Sequence, residues 1–173
     1  RRVRPGADNF EQLRNLARLA DGTSRESPSR RIRPRGDDAL EPPMHDQKRY
    51  HHAVLRRLYV HNFRCLENFD FLPAGKSSSL LIGKNGAGKT AVGSALRILQ
   101  RIARGTNRVG QLLTPKDLSR GRSDVPVRFE IEVSIGSQVF QYSVAFELPV
   151  QFKELRVVEE KLAVDGRTIY SRE

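Results

Sequence analysis

The sequence predicts an α/β fold in which a glycine-rich loop joins a short strand to an amphipathic helix, followed by an antiparallel β meander. Three observations carry this reading. Residues 83–90 match G-x-x-x-x-G-K-T with every fixed position filled. The residues after them repeat at the helical period, and residues 127–148 alternate apolar and polar at the strand period.

The loop comes first because its chemistry is the most specific. Gly83-Lys84-Asn85-Gly86-Ala87-Gly88-Lys89-Thr90 reads as a phosphate-binding loop. Glycines let the backbone wrap a polyphosphate without clash, and several N–H groups turn inward as an anion-binding nest. The motif assigns Lys89 to the β- and γ-phosphates and the Thr90 hydroxyl to Mg²⁺. Such a loop follows a strand and opens a helix. Leu80-Leu81-Ile82 supplies the apolar run of a buried strand. Val92, Ala95, Leu96, Leu99, Ile102 and Ala103 share one face of a helix from about Lys89 to Arg104. The N-terminus of that helix points at the phosphates, where its dipole favours negative charge.

Composition separates residues 1–50 from the domain at 51–173. The net charge is +11, with 12 Lys/Arg against 8 Asp/Glu in residues 1–50 and 19 against 12 in the remainder. Both parts are basic, which suits a polyanion partner such as DNA. Phe10, Leu13, Leu16, Ala17 and Ala20 are able to line a short helix, whereas residues 23–47 lack apolar pattern and read as disordered. The cluster Arg30-Arg31-Ile32-Arg33-Pro34-Arg35 reads as solvated tail more readily than as a nucleic-acid contact. Met44, the sole methionine, stands just before the patterned region and is a candidate translation start. One cysteine, Cys65, excludes an intrachain disulfide framework and is expected to be a small buried side chain. No apolar run has the length of a membrane span and no signal peptide is visible, so a cytoplasmic location without membrane contact is expected.

The other elements follow in order. Val54 to Phe63 is a β-rich run ending in Asn62-Phe63-Arg64, and Phe69 to Leu72 is a second short strand. Residues 73–79 turn into the loop strand, which is expected to continue the same sheet. Arg97, Arg101, Arg104 and Arg108 recur at helical spacing opposite the apolar face, within about 60° of one another. They read as a solvated face before they read as a phosphate-contacting stripe. Residues 106–124 form a long polar connection in which Gln111 is a weak candidate for contact with a nucleotide-bound Mg²⁺. Val127 to Ile135 and Phe140 to Leu148 make one hairpin about Gly136-Ser137. Leu155 to Val164 and Arg167 to Ser171 make another about Asp165-Gly166.

This order of motifs resembles the N-terminal lobe of an ABC-type ATPase head. Leu58-Tyr59-Val60-His61-Asn62-Phe63-Arg64, the loop from Gly83 to Thr90 and the hairpins are similar to the branch that holds RecF, SMC and OLD-nuclease proteins, also described as AAA-family ATPases. The resemblance covers about residues 54–173. It implies a P-loop NTPase fold that binds ATP with Mg²⁺ through Gly83 to Thr90, with Arg64 near the nucleotide. It also implies a homodimer of heads in the full-length protein, action on DNA in repair, chromosome maintenance or phage defence, and an associated nuclease domain or subunit. Two family elements are absent from the sequence: an apolar run followed by Asp-Glu, and a Leu-Ser-Gly-Gly-like signature. The chain is therefore expected to be the first lobe of a longer ATPase and a poor hydrolase alone. A transporter ATPase subunit, with Phe69 or Phe71 stacking on adenine, and a non-enzymatic nucleotide-binding module are the alternatives.

Overall fold

The computed structural model describes residues 53–173 apart from 74, 77 and 107. The expected helix at Phe10–Ala20, the Arg30–Arg35 cluster and the whole segment 1–50 lie outside the described residues. The chain builds β1 (Ala53–His61), β2 (Phe69–Phe71), helix α1 (Lys89–Ala103), helix α2 (Val109–Leu112), β3 (Val127–Ile135), β4 (Gln138–Glu147), β5 (Arg156–Val164) and β6 (Arg167–Arg172). The six strands form one sheet in the order β2-β1-β3-β4-β5-β6, with every neighbouring pair antiparallel.

Strand alternation decides which side chains meet. Register places Val60 opposite Phe129, Phe129 opposite Val144, and Val127 opposite Phe146, all on one face. Helix α1 covers that face with Ala91, Val92, Ala95, Ile98 and Leu99. The aromatic centre is Phe129, which meets Phe63 edge-on at 5.2 Å and Phe146 at 6.2 Å between ring centroids. The buried stripe of α1 is rotated from the expected one: Ala91 and Ile98 are inside, whereas Leu96 and Ile102 only flank the core.

The opposite face is polar and carries a row of alternating charge. Arg57 on β1 pairs with Asp70 on β2 at 3.0 Å and with Glu130 on β3 at 2.8 Å. Arg128 pairs with Glu130 at 3.8 Å and reaches across β4, past Ala145, to Glu159 on β5. Glu159 and Glu160 are consecutive and so point to opposite faces. Glu160 accepts hydrogen bonds from the Tyr142 hydroxyl at 2.7 Å and the Tyr170 hydroxyl at 3.4 Å. Burial, with the Glu160 carboxylate beside it, pushes the Tyr142 phenol well above its ordinary value of 10.0 and keeps it a donor.

One expected element is not formed. Leu80-Leu81-Ile82 joins no strand, and Leu80 and Ile82 are 84% and 83% exposed. Apolar, β-prone residues make a strand only where a neighbour completes the hydrogen-bond ladder and covers their side chains. No described strand lies beside these three, so the loop is not entered from the sheet. The arginine stripe is also shorter than expected. The helix stops at Ala103, and Arg108 instead precedes α2 with extended backbone. Of the other stripe members, Arg97 is exposed and Arg101 donates to the Gln111 carbonyl at 2.5 Å.

Candidate nucleotide-binding site

Gly83 to Thr90 leads into α1, with Lys89 and Thr90 as the first two helical residues. Gly86 and Gly88 adopt φ of 84° and 90°, a region that side chains enter only with strain. Gly88 is constrained twice. A Cβ there would come within 3.2 Å of Cys65 Sγ and of Leu66 Cδ2. Gly88→Ala is therefore expected to deform the loop at a cost of roughly 1–3 kcal/mol. A lowered melting temperature together with weakened nucleotide binding would show it; an unchanged melt would contradict the crowding.

The helix begins without a side-chain cap and without an acidic residue in its first turn. Its leading N–H groups and its dipole are thus left to attract an anion. Lys89 Nζ donates to the carbonyls of Gly83 at 2.6 Å and Lys84 at 2.8 Å, folding the loop on itself. The Ala87 N–H donates to Lys84 at 3.2 Å and tightens the same turn. Thr90 is exposed, and its hydroxyl has no partner among the described residues. These features fit a Mg²⁺-polyphosphate: free N–H groups, a lysine within reach and an unengaged hydroxyl.

Arg64 comes to the same helix from the other side. It sits in a turn after β1 at φ 53°, closed by the Phe63–Leu66 bridge. Its Nη1 donates to Ser94 Oγ at 2.9 Å, and Ser94 donates in turn to the Thr90 carbonyl at 2.9 Å. Its Nε donates to Asp117 at 3.0 Å. Burial would raise the Asp117 carboxyl. Hydrogen bonds from the Thr114 N–H, Arg64 and the Thr114 hydroxyl outweigh that and hold it below its ordinary 3.8. Cys65, expected inside, is exposed, because the turn directs it toward Gly88 at the surface.

Sequence reasoning found in the connection between helix and hairpins only the weak candidate Gln111, yet the structure brings other residues of it to this turn. Asn62 is buried and donates through Nδ2 to the Arg122 carbonyl at 3.0 Å and the Val125 carbonyl at 2.6 Å. Ser119 donates to Glu67 at 2.9 Å. Arg120 and Gly121, at φ 52° and 70°, form the tight turn between these anchors. A non-glycine residue at positive φ was the one signal available, and it is visible only in coordinates. Gln111 is exposed on α2, and its carbonyl accepts from Arg101.

A family model described as "AAA domain, putative AbiEii toxin, Type IV TA system" matches residues 78–173. The chain belongs to this AAA-domain family. The match takes in the loop, both helices and β3 to β6 of the AAA domain, while β1, β2 and Arg64 precede it. No curated protein matches the chain. Membership makes it a nucleotide-binding, ATPase-like domain, of a kind that generally binds ATP with Mg²⁺. No described helix is long and apolar enough to cross a membrane.

Proposed function

We propose that this AAA domain is the ATP-binding lobe of an ABC-type ATPase head of the RecF, SMC and OLD-like branch, acting on DNA as a dimer of heads and governing a nuclease. Gly83 to Thr90 hold the phosphates, Thr90 ligates Mg²⁺ and Arg64 contacts the nucleotide. The observation that carries the reading is the loop itself: Lys89 at the uncapped start of α1, with Gly88 wedged against Cys65 and Leu66. The net positive charge supports a nucleic-acid partner. The toxin–antitoxin wording of the family description weighs toward defence among the cellular settings.

Hydrolysis needs charge stabilisation assembled from several elements. Glu159 and Glu160 are no substitute for an Asp-Glu pair on Mg²⁺, because one is paired with Arg128 and the other with two tyrosines. The remaining elements are therefore supplied by further sequence or a partner. The exposed Leu80–Ile82 stretch supports this, since a self-contained module would leave it in water. A transporter subunit is disfavoured because Phe69 and Phe71 pack against the core and are not free to stack on adenine. Calorimetric titration with Mg²⁺-ATP and Mg²⁺-GTP, beside a turnover assay, tests the proposal. Binding of ATP with negligible turnover is expected. Rapid turnover by the 173 residues would refute the single-lobe reading, and absence of binding would refute the loop assignment.

A further inference from the structure

Arg64 and Asp117 lie 53 residues apart and are joined more firmly than a surface pair requires. The Arg64 N–H donates to the Asp117 carbonyl at 2.7 Å, and Nε donates to the Asp117 carboxylate at 3.0 Å. Nη1 is taken by Ser94, and the Phe63 ring lies 5.2 Å from the guanidinium carbon. Nη2 alone has no partner among the described residues. Asp117 is itself fixed: its second carboxylate oxygen accepts the Thr114 N–H and the Thr114 hydroxyl, each at 3.0 Å. Its side chain is only 18% exposed, whereas that of Arg64 is 45% exposed. The result is a half-exposed arginine with two of its three nitrogens committed and one edge open.

We infer that Asp117 is a positioning residue for the nucleotide, orienting Arg64 so that its open Nη2 edge meets the terminal phosphate held by the loop. The inference rests on the reading of Gly83 to Thr90 as a phosphate site and of Arg64 as its neighbour. A long side chain on an exposed turn loses rotamer freedom when it grips a phosphate, and that loss weakens binding. Asp117 imposes the loss before the nucleotide arrives. Ser94 registers the guanidinium to Thr90, whose hydroxyl takes the metal under the same reading. The planar guanidinium makes orientation matter, because its donors act along fixed directions.

The test is a double-mutant cycle on Mg²⁺-ATP affinity of the full chain, with thermal unfolding recorded for each variant. Arg64→Ala is expected to weaken binding on the order of tenfold, and Asp117→Asn about fivefold. The double variant is expected to bind no more weakly than Arg64→Ala. Arg64→Lys keeps the charge but lacks the planar fork whose separate nitrogens face Asp117, Ser94 and the phosphate, so its binding should fall with that of Arg64→Ala. Additive losses in the double variant, or wild-type affinity in Arg64→Lys, would overturn the assignment while leaving the phosphate loop standing. Failure of the wild type to bind would remove both.

Discussion

Lys89→Ala is expected to lower Mg²⁺-ATP affinity on the order of a hundredfold or more while leaving the melting temperature nearly unchanged. The two halves of that expectation have separate causes. Lys89 donates only to the exposed carbonyls of Gly83 and Lys84, and water replaces such bonds at little cost. Toward a triphosphate the same ammonium makes charge-assisted bonds, each worth about 1.5–3 kcal/mol. Calorimetric titration beside differential scanning calorimetry separates the two. A variant that melts early would mean that the lysine braces the loop. One that binds normally would mean that the loop is not a phosphate site.

Phe129→Ala should do the reverse, striking the fold hardest. Phe129 is fully buried, opposite Val60 and Val144, with ring contacts to Phe63 and Phe146. Removing a buried phenyl group costs about 3–5 kcal/mol. A domain of this size has roughly 5–15 kcal/mol in all. Because Phe63 anchors the turn that carries Arg64, nucleotide affinity should fall with stability. Phe129→Leu keeps most of the volume and should lose about 1–2 kcal/mol. Urea unfolding measures both variants, and an alanine variant within about 1 kcal/mol of wild type would show that the three rings do not form the centre of the core.

What the sequence disclosed tracks how local each cause is. The strand period of Val127 to Ile135 and the helical period after Lys89 are set by neighbours a few residues away, so those elements were legible nearly to their ends. Asp165-Gly166 marked its hairpin for the same reason, with both residues at positive φ. The glycines of residues 83–90 were legible because conformation demands them; Gly88 has both the backbone angle and the crowding that require it. Leu80-Leu81-Ile82 misled because a strand exists only with a partner, and a hydrophobic run is silent about where its partner lies. The turn at Ser119–Gly121, the Arg64–Asp117 pair and the rotated face of α1 were hidden because residues 30 to 60 positions away fix them. Asn62, buried to hold the Arg122 and Val125 carbonyls, looks in sequence like an ordinary strand-end residue.

The row of charges on the outer face of the sheet bears on how the lobe meets other molecules at a distance. Asp70, Glu130 and Glu159 oppose Arg57 and Arg128, so the row sums to −1; Lys161 beside Ser143 brings it to zero, and the Arg56–Glu132 and Arg156–Glu147 pairs leave it there. Residues 51–173 nevertheless carry +7. The excess therefore lies off this face, and the domain has a lasting electric asymmetry, with one neutral side and a cationic remainder. In a polyanion's field such a body is turned before it touches, with the neutral side facing away. Encounter is then biased in orientation as well as hastened, and both effects fade once the Debye length shrinks below the dimensions of the domain.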